Sequence, residues 1–264
     1  MTQLDQSAPT NSTLDLIAAR TSTRAYAATP LTPAEKSAIL NAAFRAPTGG
    51  NMMLYSIIEV TDQALKDRLA VTCDDQSFIA KAPWVLVFLA DFQKWIDIFA
   101  ASDVGTVEVA EARMTPGPGD LLLACSDALI AAQNAVVAAE SLGIGSCYIG
   151  DILELGETHA EMFDLPAHVL PIAMLCLGRP LKAREPVVRF SKHVVHENAY
   201  RRLTPDELAE QIAEMGAEYA PHGMPEGLAN YGQAIYRRKF ASAFMTEMNR
   251  SAAWWLKRWQ RAEK

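Results

Sequence analysis

A run of apolar residues from Leu121 to Leu142, closed by Gly143-Ile144-Gly145-Ser146-Cys147-Tyr148-Ile149-Gly150, constrains this chain more than any other stretch. Alanine, leucine and valine fall on nearly every turn between Leu121 and Ala139, so the apolar surface wraps most of a helix instead of marking one stripe. That pattern predicts a long central helix buried all round, inside one core or shared by two subunits. Asp127, Gln133, Asn134 and Glu140 interrupt it, and the cost of a lone carboxylate at mid-bilayer disfavours a membrane span. Gly143 supplies a left-handed C-cap, after which β-branched and aromatic residues start a short extended piece ending at Gly150-Asp151. A buried helix feeding a glycine-bounded strand suits backbone N–H groups pressed against a flat ligand.

With 264 residues, half of them hydrophobic, the chain can bury a full core as one large domain, with or without an appendage. Cys73, Cys125, Cys147 and Cys176 form no CxxC pair and follow no secretory leader pattern, which predicts free, mostly buried thiols in a reducing cytoplasm. A formal net charge of −7 argues against nucleic acid or an anionic membrane as a partner.

The sequence divides into a polar arm over residues 1–11, a body over 12–200 and a helical extension over 201–264. Ser12 or Thr13 caps a short helix to Ala19. Arg20-Thr21-Ser22-Thr23-Arg24-Ala25-Tyr26 then lacks helical periodicity, and in an extended segment Arg20, Ser22 and Arg24 project to one side. Two guanidinium groups and a hydroxyl on one face make an anion site; two solvated arginines at a helix end are the other reading of the same residues. Thr32-Pro33-Ala34-Glu35 is a capping box opening a helix to about Arg45, followed by the glycine-containing loop Ala46–Asn51. Strands are expected at Leu54–Val60, Trp84–Ala90 and Val169–Leu177, the second lying mid-sheet because it is apolar throughout. Helices are expected at Asp62–Ala70, Asp75–Pro83, Phe92–Ala100 and Glu157–Phe163, with an excursion over Ala101–Gly119. Thr204-Pro205-Asp206-Glu207 opens another helix to about Met215, and the tail with Trp254, Trp255 and Trp259 should dock on the body or on a partner subunit.

Together these pieces resemble the flavin-dependent nitroreductase and NAD(P)H:flavin oxidoreductase family over almost the whole chain. Arg20 to Tyr26 resembles its R-x-S-x-R-x-F opening, and Ala46 to Asn51 its A-P-S-x-x-N loop. Gln133-Asn134 through Gly145, with Tyr148-Ile149-Gly150, matches a third motif; Leu177-Gly178-Arg179-Pro180 with Arg189 and Val194-Val195-His196 resembles the closing segment. The resemblance implies an α+β fold, with a mostly antiparallel sheet flanked by helices around the long central helix. It also implies non-covalent FMN, NADPH or NADH as co-substrate, and a homodimer with flavin sites at the interface. Carried over, Arg20, Ser22 and Arg24, with Thr21 in the same motif, hold the FMN phosphate, ribityl chain and pyrimidine edge. Pro47, Thr48, Gly49 and Asn51 belong to the loop reaching the other subunit's flavin. Gln76 bonds the pyrimidine, Ile149, Gly150 and Asp151 present backbone near N5 and O4, with Tyr148 in the same cofactor-binding motif, and Arg189 closes on the phosphate.

Two departures stand out. Many relatives continue the second loop as N-x-Q-P-W, where this chain has Asn51-Met52-Met53-Leu54-Tyr55; many carry a lysine where it has Val187, leaving Lys182 or Arg184 as substitutes. The implied activity is hydride transfer from NAD(P)H through FMN to a quinone, nitroaromatic or flavin acceptor. The alternatives are a specialised reduction, such as dehalogenation or ene reduction, and a flavin-storage protein without turnover. No protein nucleophile and no metal is expected: His193, His196 and Glu197 lack a further well-placed ligand. Arg201, Arg202, Arg237, Arg238 and Arg250 are the candidates for an NADPH 2′-phosphate.

Overall fold

A computed structural model describes residues 10–108, 115–182 and 185–260; expectations for the terminal arm before residue 10, the middle of the 101–119 excursion, Arg184 and the last four residues lie outside these. The chain forms two compact units, Ala19–Arg184 with Glu247–Lys264, and Met1–Ala18 with Glu185–Thr246.

The larger unit contains α2 (Pro33–Phe44), β1 (Tyr55–Val60), α3 (Gln63–Thr72), β2 (Trp84–Asp91), α4 (Gln93–Ala101), α5 (Pro118–Ser141), β3 (Gly145–Ile149), α6 (Gly156–Met162), β4 (Val169–Gly178) and most of α9 (Ala243–Trp259). The four strands pair antiparallel in the order β1-β2-β4-β3. Strand β2 is buried at every residue and splits its side chains by the two-residue period: Trp84, Leu86 and Phe88 pack with α2 and α5, Val85, Val87 and Leu89 into a second core with α3 and the two terminal tryptophans. The capping box at Thr32 forms as the sequence predicts, and Gly143 takes φ +69° after α5.

Helix α5 is long and central, but the expectation that it is buried all round fails within this chain. Ala124, Ala128, Ala131, Ala132, Ala135 and Ala139 make a small-residue face that lets α5 sit close on the sheet and α2. A sheet covers only one side of a helix, so Leu122, Leu123, Leu129 and Ile130 point outward and are exposed. Over Asp75–Pro83 the structure has turns instead of a helix. Asp74 and Asp75 adopt left-handed φ of 61° and 51°, and the following bonds are three-residue closures, Ile79 N–H to Gln76 O and Ala82 N–H to Ile79 O.

The tryptophan-rich helix docks on its own chain. Trp255 and Trp259 are buried, their indole N–H groups donating to Leu153 O (3.3 Å) and Gly117 O (3.2 Å). Ser251 donates to Leu153 O at 2.6 Å and accepts the Gly156 N–H at 2.8 Å. Gly156 is required there, since a Cβ would lie 2.8 Å from Trp254 Cε3.

The smaller unit contains α1 (Ser12–Ala19) up to Ala18, α7 (Pro205–Tyr219), α8 (Tyr231–Ile235) and a π-helical turn over Tyr236–Phe240. The cap of α1 is Asn11 and not Ser12 or Thr13: its carboxamide oxygen accepts the N–H groups of Thr13 and Leu14. Helix α7 begins at the Thr204 capping box and runs one turn beyond Met215.

Candidate functional site

The Arg20–Tyr26 segment is extended along the free edge of β3. Ser22 forms a parallel bridge with Ser146, and Thr23 donates its N–H to Ser146 O at 2.8 Å. Tyr26 bridges Pro180 and donates its hydroxyl to Thr23 O at 2.9 Å, while Leu181 N–H donates to Ala25 O. Thr23 is buried against Gly145, where a Cβ would lie 2.8 Å from Thr23 Cβ; the glycine of the motif is what lets the segment approach. Thr21 is half-buried on the Thr23 side of the alternation.

Arg20, Ser22 and Arg24 lie near Cys147 of β3. Burial pushes the Cys147 thiol up, and Arg24, the Ser22 hydroxyl and Arg20 pull it back. Arg24 places its guanidinium 5.9 Å from the centroid of the Phe78 ring. Arg20 lies near the last turn of α5, where it opposes burial at two groups: Glu140, whose carboxyl burial raises and which accepts the Ser146 hydroxyl at 3.2 Å, and Tyr148, pushed up to about 12. Among the described residues no carboxylate lies at ion-pair distance from Arg20 or Arg24.

The third motif completes this corner. Ile149 is buried at the end of β3, Gly150 is exposed with open space where its side chain would stand, and Asp151 begins a 3-10 turn to Leu153. The Asp151 charge reaches both Cys147 and Cys73, and Gln76 donates its carboxamide N–H to Cys73 O at 2.9 Å. Arg20, Ser22, Arg24 and Asp151 thus surround Cys147, and Gln76 is bonded to Cys73 O. Two guanidinium groups with no described carboxylate at ion-pair distance and a hydroxyl, on the strand edge that ends at an open glycine, fit a flat, anionic cofactor such as FMN.

The second loop makes no hydrogen bond or ion pair with Arg20–Arg24 among the described residues. Pro47 is exposed; Gly49, Gly50 and Asn51 form an exposed 3-10 turn with φ of +58° at Gly50 and +56° at Asn51. Thr48 faces inward: its hydroxyl donates to Asp127 on α5 and accepts the Met53 N–H at 2.8 Å, so its one proton is unavailable to a ligand. Leu54 stands where the N-x-Q-P-W pattern has proline, and its retained N–H donates to the same Asp127 carboxylate at 3.0 Å. Trp95 donates its indole N–H to Met52 O at 2.8 Å.

Arg189 is exposed in the smaller unit, and Lys182 is exposed at the end of the larger. Arg179, in the closing motif, pairs with Glu35 of the first capping box at 2.6 Å. Sequence reasoning missed Phe78, placed on a helix that does not form, and the partners of Asp127, noted only as an interruption. A carboxylate at a core position was itself a signal, because a buried charge needs partners.

A family model described as "Nitroreductase family" matches residues 17–179, more than half of the chain. The chain belongs to the nitroreductase family. It is 37% identical over 210 residues to the oxygen-insensitive NADPH nitroreductase of Salmonella typhimurium, covering 76% of this chain and 81% of that protein. It is 30% identical over 226 residues to the NADPH-flavin oxidoreductase of Vibrio harveyi, covering 85% and 90%. Among solved structures it is similar to nitroreductase A from Vibrio parahaemolyticus, with a TM-score of 0.76 at 25% identity and coverage of 92% and 98%. The NADPH:FMN oxidoreductase from Vibrio harveyi complexed with NAD+ superposes with a TM-score of 0.73 at 27% identity, again covering 92% and 98%.

Proposed function

We propose that this member of the nitroreductase family is an NAD(P)H-dependent FMN oxidoreductase whose electrons pass to a quinone, nitroaromatic or free-flavin acceptor. The observation that carries the reading is the arrangement of Arg20, Ser22 and Arg24 along the edge of β3, with no described carboxylate at ion-pair distance from either guanidinium, next to the strand end at Gly150. Relatives named as NADPH nitroreductase, NADPH-flavin oxidoreductase and FMN reductase support it. FMN, when bound, supplies two-electron chemistry at N5, and the protein supplies position and charge.

In this reading Arg20 and Ser22 hold the phosphate and ribityl chain, and Arg24 lies at the pyrimidine edge, where negative charge grows on reduction. Gln76 takes the pyrimidine, and the backbone of Ile149, Gly150 and Asp151 lies along N5 and O4. Gly49 and Asn51 approach from a second subunit, and Arg189 adds to the phosphate charge. The exposed Leu122, Leu123, Leu129 and Ile130 of α5 form the core of a homodimer interface, which for an obligate pair buries over ~2,000 Å². Four free cysteines fit a cytoplasmic setting.

Pairing narrows the candidates for the NADPH 2′-phosphate. Arg201 is committed to Glu207 and Arg250 to Glu157 and Glu247. Arg202, Arg237 and Arg238 have no carboxylate at ion-pair distance among the described residues, and of these Arg237 and Arg238 line a cavity of about 750 Å³ with Tyr219, His222 and Tyr231. They are the arginines we assign to that phosphate. Purified protein should be yellow, release FMN on denaturation and bleach with NADPH under anaerobic conditions; flavin that stays oxidised in excess NADPH and NADH would sink the reductase reading.

A further inference from the structure

Asp127 is buried in the middle of α5, on a face otherwise made of apolar and mostly alanine residues, and its carboxylate binds a loop 79 positions earlier in the chain. One oxygen, Oδ2, takes both the Thr48 hydroxyl and the Leu54 N–H; Thr48 in turn accepts the Met53 N–H, so three bonds close the loop at both ends. Between those ends Gly50, Asn51 and Met53 hold φ of 58°, 56° and 49°. Left-handed conformations at asparagine and methionine persist only where the surroundings over-determine them. The Trp95 bond to Met52 O is the other tie from a neighbouring helix.

The charge is balanced locally. Lys94 donates to Tyr55 O at 2.6 Å; burial lowers its pKa, while Asp91 and Asp127 raise it. The same carboxylate contributes, after burial, to raising the Tyr55 hydroxyl. Asp91 offers an internal contrast. It is also buried beside Lys94 and accepts the Ser56 hydroxyl, but it holds strand β1 and not the loop.

We propose that Asp127 is a positioning residue for the flavin site: by taking the Thr48 hydroxyl and the Leu54 N–H together, it sets the peptide geometry of Gly49–Met53 through which this loop meets FMN. The proposal rests on the reading that the loop contacts the cofactor. It assigns Thr48 an inward role, with contact to the ligand left to the backbone and Asn51. Where the N-x-Q-P-W pattern supplies a stiff proline without an N–H, this chain supplies an amide and a carboxylate that captures it.

The test compares Asp127→Asn, Thr48→Val, the double variant, Thr48→Ser and Ser56→Ala as full-length protein. FMN dissociation is read by flavin fluorescence, and amide hydrogen exchange is followed over residues 49–54 without flavin. Asp127→Asn and Thr48→Val should each weaken FMN binding about tenfold and speed exchange in the loop, as expected for losing a hydrogen bond to a charged group. The double variant should be little worse than either single, because the two residues act as one clamp. Thr48→Ser should match the parent, and Ser56→Ala should lower unfolding stability with FMN affinity intact. Parent-like FMN affinity in folded Asp127→Asn, additive losses in the double variant, or an equal affinity loss in Ser56→Ala would each overturn the proposal. Should Asp127→Asn fail to fold, the Thr48→Val and Thr48→Ser pair decides. A parent that binds no FMN would defeat the functional reading instead, and unchanged loop exchange would still count separately against the clamp.

Discussion

The two units differ in what holds them. In the larger one, β2 is buried at all eight residues and two cores fill both sides of the sheet; in the smaller one, no described side chain from Glu185 to Thr246 is buried. The smaller unit relies on the Thr204 capping box, the Lys192–Glu210 and Arg201–Glu207 pairs, an edge contact of Tyr219 with Phe190 and a tilted one with Tyr231. Exposed ion pairs of this kind contribute little once solvent screens them. The contrast teaches that burial on both sides of the sheet fixes the platform carrying Arg20–Arg24 and Gly150, whereas the described residues of the smaller unit are held by local caps, exposed pairs and ring contacts.

The largest expected effect sets the units directly against each other. Trp255→Ala should destabilise the larger unit by ~3–5 kcal/mol, because it empties a filled core site and removes a bond to Leu153 O. Phe240→Ala, at a ring 74% exposed, should change stability by less than ~0.5 kcal/mol. Equal losses in urea unfolding would erase the distinction.

The platform should also carry a pH signature. Burial, then the charges of Asp151, Asp74 and Glu247, push the Glu154 carboxyl up to about 7. A carboxyl raised on folding binds its proton more tightly in the native state, so stability is full below the unfolded value near ~4.3 and falls as pH rises towards 7. The loss should be about 1–3 kcal/mol, flat above pH ~8, and absent in Glu154→Gln. Parallel urea midpoints for parent and Glu154→Gln from pH 5 to 8 would refute it.

A third experiment sharpens the comparison at the flavin, with one arginine from each unit. Arg24→Ala should lower the FMN reduction potential by roughly 20–65 mV, the equivalent of ~1–3 kcal/mol for a cation near the reduced ring in a partly screened site. Arg189→Ala should weaken FMN retention and leave the potential of the remaining flavin unchanged, since a phosphate contact is indifferent to ring redox state. Spectroelectrochemical titration separates them; identical potentials for parent and Arg24→Ala at full occupancy would show Arg24 misplaced. The most local effect is Thr204→Ala, which should cost α7 about 1 kcal/mol in local hydrogen-exchange protection and leave Trp255 fluorescence and FMN potential untouched.

Much of this was legible in the residues because it is set within a few positions of chain. The capping boxes at Thr32 and Thr204, the glycine stop at Gly143 and the all-apolar β2 follow from backbone valences and side-chain period, and each formed as read. The alternation that puts Arg20, Ser22 and Arg24 on one side of an extended segment is of the same kind. Where a local signal misled, a competing local bond was responsible: left-handed Asp74 and Asp75 turned Gln76–Ala82 away from the helix that its apolar residues suggested.

The amino-acid sequence by itself determined the capping boxes, the central strand and the glycine stop after α5, since these depend on hydrogen bonds and periods spanning a handful of residues. Tertiary structure alone decided which side of α5 stays open, that Thr48 turns inward to Asp127, that Arg201 and Arg250 are committed to carboxylates, and that Trp255 and Trp259 dock on their own chain. Those outcomes join groups many tens of residues apart, such as Trp255 with Leu153 and Arg250 with Glu157, and a buried donor or charge takes whichever partner the packed sheet brings within reach.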